Sequence, residues 1–253
     1  MPGEAQSNLG VTIAPLGDPA AAIAWASSRS FRGVQLSATQ AGMRPRDLGP
    51  SARRDLRATL VRQEVVACGI DAFVPAAHLV DPQHAERAVE AIGAACELAA
   101  ELGRVPVVVQ LPEPGADAAE AARRDAAIAM ISAAADRVGV TVADLSGGAG
   151  APWPPVGIAV DPAAVLASGG DPAASVARAG ARLSAVRVVD QLRSGLRGPI
   201  GLRGEARLDV LAYRIAIDVA GFRGLPVVDC RQWSDPRAGA EASLAAWPPG
   251  IGP

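Results

Sequence analysis

The chain has 253 residues, a formal net charge of −2, half of its residues hydrophobic and only 3% aromatic. That length suits one α/β barrel or two smaller domains, and the apolar content allows a sizeable core. The near-neutral balance implies no basic face for nucleic acid, and the shortage of rings excludes base-stacking platforms and open sugar clefts lined with aromatics.

Short apolar runs recur at residues 9–14, 33–36, 65–73, 106–111, 140–145, 156–160, 185–189 and 226–230. Most are near-continuous and rich in valine, the pattern of strands buried on both faces in a parallel sheet covered by helices. Helices are expected between and after them, over 19–28, 51–62, 82–102, 118–138, 162–167, 172–182, 207–220 and 236–246. The third of these repeats Ala88, Ile92, Cys96 and Ala99 at helical spacing. Asp-Pro pairs at Asp18, Asp81, Asp161, Asp171 and Asp235 mark helix starts. Asp caps the first-turn N–H groups, and Pro at the first helical position loses no hydrogen bond there. Ser51 is the expected cap of the second helix.

One connection differs. Between Leu145 and Val156 stands SGGAGAPWPP, where no helix of useful length fits. Alternation of eight strands with helices predicts an α/β fold, a (β/α)8 barrel with a reduced fifth helix. It would form one domain over 1–253, with 247–253 as an extended tail. Four of the last five strands lead into an aspartate, Asp144, Asp161, Asp190 and Asp229. Barrel closure would gather such strand-end carboxylates at one mouth.

The three cysteines, Cys68, Cys96 and Cys230, fit no zinc or disulfide spacing and read as small core hydrophobes. The start, MPGEAQSNLG, lacks the basic and apolar regions of a secretory signal, and no uncharged run reaches the ~18 residues of a membrane span. A cytoplasmic protein with no membrane partner is expected; self-association into a homo-oligomer is left open.

Several segments, over nearly the whole chain, resemble the sugar phosphate isomerase/epimerase superfamily, the xylose-isomerase-like TIM barrels. FRGVQLS is similar to the family's second strand, and AERAVEAIGAACELAAELGRVPVVVQLP to its third helix and fourth strand. GIAVDP, LSAVRVVDQ and GEARLDVLAYRIAIDVAGFRGLPVVDC are similar to strands six to eight. The resemblance implies isomerase or epimerase chemistry on a small sugar or sugar phosphate. It also implies a divalent ion held by Glu, Asp, His and Glu at the ends of strands five to eight, the glutamates doubling as acid and base. By position this chain offers Asp144, Asp161, Arg187 and Asp229, so only Asp161 keeps the family's residue type.

Two chemistries follow from that substitution. Asp144, Asp161 and Asp229 with water would hold Mg²⁺ or Mn²⁺. Alternatively no metal is bound, Arg187 polarises a carbonyl, and Asp144 and Asp229 serve as base and acid. Plainer roles stand beside these: Asp161 as a helix cap, Asp229 paired with Arg231, and Arg187 paired with Asp190. Gln35, His78, Gln110, Asp190 and Arg231 are the candidate substrate contacts. Gln35 and Gln110 either bind hydroxyls or bond to one another. His84, in the first turn of a helix, is expected to face solvent. The loop carrying Arg193, Arg197, Arg203 and Arg207 either closes over an anion or is simply solvated. The functional readings are a sugar isomerase or epimerase, a ligand-binding barrel that has lost catalysis and its metal, and a structural subunit.

Overall fold

Valine-rich runs become strands because β-branched side chains pack well on a pleated backbone covered on both sides. A computed structural model of the protein describes residues 7–115, 117–147 and 153–248. Its strands are β1 (Gly10–Thr12), β2 (Gly33–Ser37), β3 (Val66–Asp71), β4 (Val107–Val109), β5 (Val142–Asp144), β6 (Val156–Val160), β7 (Leu183–Val188), β8 (Asp190–Gln191), β9 (Arg197–Gly198) and β10 (Val227–Val228). All but β8 and β9 close into a ring of eight in chain order, β10 returning to β1. This is the (β/α)8 barrel expected from the apolar runs.

The helices are α1 (Pro19–Ser28), α2 (Pro50–Arg62), α3 (Ala85–Glu101), α4 (Ala118–Val138), α5 (Pro162–Ala167), α6 (Pro172–Ala179), α7 (Val210–Val219) and α8 (Pro236–Ala246). The first four strands are each followed by one helix, and β6 by two. Within the β5–β6 connection, residues 145–147 and 153–155 carry no helix. The middle of the expected bare loop, 148–152, and the end of the expected tail, 249–253, lie outside the described residues.

Asp-Pro opens four helices as expected: Asp18, Asp161, Asp171 and Asp235 each accept a first-turn N–H, with Pro just inside. The fifth pair does not. Asp81 accepts from the Gln83 N–H at 2.9 Å and meets the His84 ring at 2.6 Å, closing a turn, and α3 starts at Ala85. Helix α2 begins at Pro50, one residue before Ser51. Helix α7 begins at Val210, capped by Asp209, and not at Arg207. The segment expected as a basic loop holds a hairpin instead, with Asp190 paired to Gly198 and Gln191 to Arg197.

Chain contacts group the fold into two compact units. The first comprises residues 1–35, 59–68 and 160–253. Here Gly10, Val11 and Thr12 pair with Gly33, Val34 and Gln35, while Val227 pairs with Gly10 and with Arg187. Leu9, Ile13, Ile23, Phe31 and Tyr213 are its largest fully buried side chains. A Cβ on Gly10 would come within 2.5 Å of Cys68 Sγ on β3, a strand that is not its neighbour in the ring. That face of β1 is therefore the interior, and alternation puts Thr12, Gly33 and Gln35 on it too. The second unit comprises residues 36–58 and 69–159. Ile70 pairs with Val107, Val109 with Asp144, and Asp144 with Ile158, over a core that includes Leu36, Ile92, Leu98, Leu111 and Ile128.

Candidate functional site

In the first unit the ends of β6, β7 and β10 deliver three charged side chains. Asp161 directly follows β6, Arg187 is the penultimate residue of β7, and Asp229 directly follows β10. Asp161, Arg187 and Asp229 retain only 7%, 6% and 1% of their exposure, so each charge depends on protein partners and not on water. Arg187 Nη1 donates to Asp161 Oδ2 at 3.1 Å and lies 3.4 Å from Asp229 Oδ2. Tyr213 steadies this strand by donating its hydroxyl to the Arg187 carbonyl at 3.1 Å.

A second guanidinium arrives from the hairpin. Arg197 donates from Nη1 and Nη2 to the two oxygens of Asp161, at 3.2 and 2.9 Å, and from Nη2 to Asp229 Oδ2 at 3.1 Å. Arg231, two residues past Asp229 as its spacing suggested, grips that carboxylate bidentately at 2.6 and 2.7 Å. The cluster thus has two carboxylates and three guanidiniums, one positive charge in surplus. Burial alone would raise both carboxyl pKa values, but the arginines outweigh it. Arg187 and Arg197 hold Asp161 below its usual value, and the Arg231 hydrogen bonds with the Arg187 and Arg197 charges hold Asp229 well below.

Asp161 therefore plays both parts considered for it. Its Oδ1 also accepts the Ala164 N–H at 3.2 Å, capping α5. Asp190 has another task. It is fully buried and accepts the N–H groups of Arg207 and Leu208, both at 3.0 Å, fixing the chain that leads into α7. Burial raises its pKa despite those bonds. An Arg187–Asp190 pair does not form, because positions three apart on an extended chain face opposite sides; Arg187 turns to Asp161 and Asp229.

These carboxylates do not suit a divalent ion. Each oxygen of Asp161 and Asp229 already accepts two donors: Ala164 N and Arg197 on one Asp161 oxygen, Arg187 and Arg197 on the other. On Asp229 they are the Arg231 backbone and side chain, then Arg231 and Arg197. A cation would have to displace guanidiniums and enter a region already positive. Among the described residues no group of three or more His, Cys, Asp or Glu side chains is arranged to hold a metal.

Gln35, on the interior face of β2, buries an Oε1 that has no hydrogen-bond partner among the described residues. Nearby in register, Thr12 Oγ1 accepts the Cys230 N–H at 3.2 Å and contacts Cys230 Sγ at 3.3 Å. Burial pushes the Cys230 thiol up to about 11, and that of Cys96 to about 12, so neither is a nucleophile at neutral pH.

In the second unit, Asp144 closes β5. It accepts the Leu111 N–H at 3.0 Å, the Ser146 N–H at 2.9 Å and the Ser146 hydroxyl at 2.6 Å. Gln110 is exposed, because β4 stops at Val109, so it is not the buried amide the apolar run suggested. His78 sits in a short 3-10 turn (Ala76–Leu79) and stacks on His84 with ring centroids 4.6 Å apart. His84 is not simply turned to solvent; it pairs with Asp81.

Sequence reasoning singled out Asp161, Arg187, Asp229 and Arg231, which come together. It did not separate Arg197 from the other arginines of its loop. The usable signal was faint: Asp190 and Gly198 flank a short Gly-containing turn, a hairpin signature two residues long on each side.

No protein-family model matches the chain, and no curated protein does. Solved structures do. A xylose isomerase domain protein from Planctomyces limnophilus superposes with a TM-score of 0.75 at 14% identity, covering 95% of both chains. A sugar phosphate isomerase/epimerase from Parabacteroides distasonis gives 0.70 at 12%, covering 97% of this chain and 94% of its own. A D-allulose 3-epimerase from a Methylomonas species, solved with D-allulose, gives 0.71 at 17%, covering 95% and 96%. The strand order, the full-length coverage and these neighbours agree: the chain has the fold of the xylose isomerase-like sugar isomerase and epimerase TIM barrels.

Proposed function

We propose that this barrel binds a small anionic sugar, a sugar phosphate or sugar acid, at the ends of β6, β7 and β10 without a metal ion. The observation that carries the reading is the Asp161–Arg187–Arg197–Asp229 cluster. Guanidinium groups stand where a bound cation would be needed, and they present planar N–H pairs suited to phosphate or carboxylate oxygens. The single surplus positive charge favours an anion over a neutral sugar. Arg197, on a hairpin two residues wide on each strand, is the side chain that can exchange an aspartate for a ligand oxygen. Gln35 supplies an acceptor for a sugar hydroxyl.

Binding would proceed by exchange of charge-assisted hydrogen bonds, with Arg187 and Arg231 keeping the carboxylates ionised throughout. An acid or base needs a pKa near the working pH. Asp229 is held far from it, and Asp144 has its oxygens engaged by Leu111 and Ser146. Ligand binding without turnover is accordingly the leading reading. Catalysis is the second, supported by full-length likeness to an epimerase solved with D-allulose. In that case Arg187 polarises the carbonyl.

Calorimetric titration in EDTA with D-fructose 6-phosphate, D-ribulose 5-phosphate, D-gluconate and D-allulose tests both. At least one anionic compound should bind more tightly than D-allulose, unaffected by EDTA, and weaken tenfold or more in Arg197→Ala. No binding by any of them, or binding only after Mn²⁺ is added, would overturn the proposal. Deuterium entering a ketose from solvent would move the conclusion to catalysis.

A further inference from the structure

The second unit holds a cavity that shares no residue with the arginine–aspartate cluster. It measures about 700 Å³, within the span usual for small-molecule sites. The segment after β2 contributes Ala38, Thr39, Arg44 and Arg46; the segment after β3 contributes Phe73; α3 contributes Arg87 and Glu90. Ala38 directly follows β2, and Ala72 and Phe73 directly follow β3. The cavity is therefore bounded by the segments that leave β2 and β3 and by α3.

Its chemistry is two-sided. Ala72, Val74, Pro75, Ala88, Ala91 and Ala94 make an apolar floor. Phe73, a large hydrophobe that remains 56% exposed, stands at the rim. The stacked His78 and His84 rings add a flat wall. Against this stand three arginines and one acid, Glu90. The charged groups facing it are few: Arg46 lies 3.7 Å from Asp47, His84 is paired with Asp81, and Arg44 donates through Nε to the Thr39 carbonyl at 3.2 Å. That last bond uses one donor of the guanidinium fork and leaves its terminal N–H groups. Arg87 makes no ion pair among the described residues.

From this geometry we infer that the cavity is a second ligand site, taking a phosphate monoester with a flat, largely apolar body. Arg44 and Arg87 bind the phosphate, the imidazole pair and Phe73 cover the ring, and the alanine floor receives its edge. A neutral ring alone lacks the charge partner. Inorganic phosphate alone leaves the apolar surface uncovered. The site needs both parts in one molecule.

Phenyl phosphate, phenol and inorganic phosphate serve as probes in titration calorimetry of the whole chain. Phenyl phosphate should bind at one site at least tenfold more tightly than either fragment. That binding should fall tenfold or more in Arg44→Ala/Arg87→Ala, and equally in Ala91→Trp, which fills the cavity while keeping both arginines. Arg197→Ala should leave it unchanged. The inference is overturned if phenyl phosphate does not bind, if both cavity variants bind it as the natural chain does, or if Arg197→Ala is the variant that loses it. Melting curves confirm that each variant is folded, and Ala91→Trp alone decides the matter if the double variant is not. Loss of the strand-end reading would leave this result untouched, because the two sites share no residue.

Discussion

Asp229 carries the most concentrated chemistry in the molecule. A nearly fully buried carboxylate with three guanidinium neighbours is stable only while it is charged and they remain in place. Its folded pKa, like that of Asp161, is depressed, so the stabilisation is complete above the unfolded value of about 4 and is lost as pH falls through the folded values. Asp190 has the opposite sign. Its pKa is raised, so its ionisation is adverse as pH climbs from about 4 through the folded value, and that cost disappears in acid. Between pH 5 and 2 the loss at Asp161 and Asp229 is expected to dominate, because three arginines are engaged there. Urea midpoints should therefore fall as pH drops from 5 to 2, and the fall should be shallower in Arg197→Ala, which weakens the depression of both aspartates. An identical slope in that variant would show that Arg197 does not hold the carboxylates in solution. At this scale the sequence was legible where spacing decides contact, as in Asp229 and Arg231. It was silent where contact depends on chain folding over tens of residues, as in Arg197 and Asp161.

Among the elements, the Asp-Pro helix starts separate a simple cap from a cap with a second duty. Asp171 accepts the Ala173 and Ala174 N–H groups in an exposed setting. Asp171→Ala should cost about 1 kcal/mol, the usual loss for a cap. Asp161→Ala removes a cap and takes a carboxylate from the buried Arg187 and the half-buried Arg197, and should cost about 3–5 kcal/mol, the range for breaking a buried pair. Equal losses in denaturant melts would mean that Asp161 is only a cap. Helices could be read from the chain because their period extends over many residues, and barrel strands because most are valine-rich apolar runs. The β8–β9 hairpin could not, since its Arg and Gly content matches a solvated turn and not a valine-rich run. The start of α3 was misread for a related reason: Asp81 has a rival partner in His84, so Asp-Pro there closes a turn.

The whole molecule depends on narrow interior contacts in its first unit. A Cβ on Gly33 would stand 2.6 Å from Leu225 Cδ1 and 3.2 Å from both Cys68 Cβ and the Val66 carbonyl. Gly33→Val should destabilise the chain by about 1–3 kcal/mol through overpacking, measured as a shift of the urea midpoint. A neutral result would mean that the interior of β2 has room to spare. Closure of eight strands was legible because the apolar runs alternate with helices throughout. Placement of the charged side chains at the strand ends was legible only as to position, because their partners are decided by the hairpin.

The guanidinium of Arg187 and the one delivered by Arg197 act together as a built-in counter-ion for Asp161 and Asp229. Remove both, as in Arg187→His/Arg197→Ala, and two buried acids are left with an imidazole nearby and only Arg231 to neutralise them. Such a vacancy should recruit an external cation: Mn²⁺ should raise the melting temperature of the double variant and leave the natural chain unaffected.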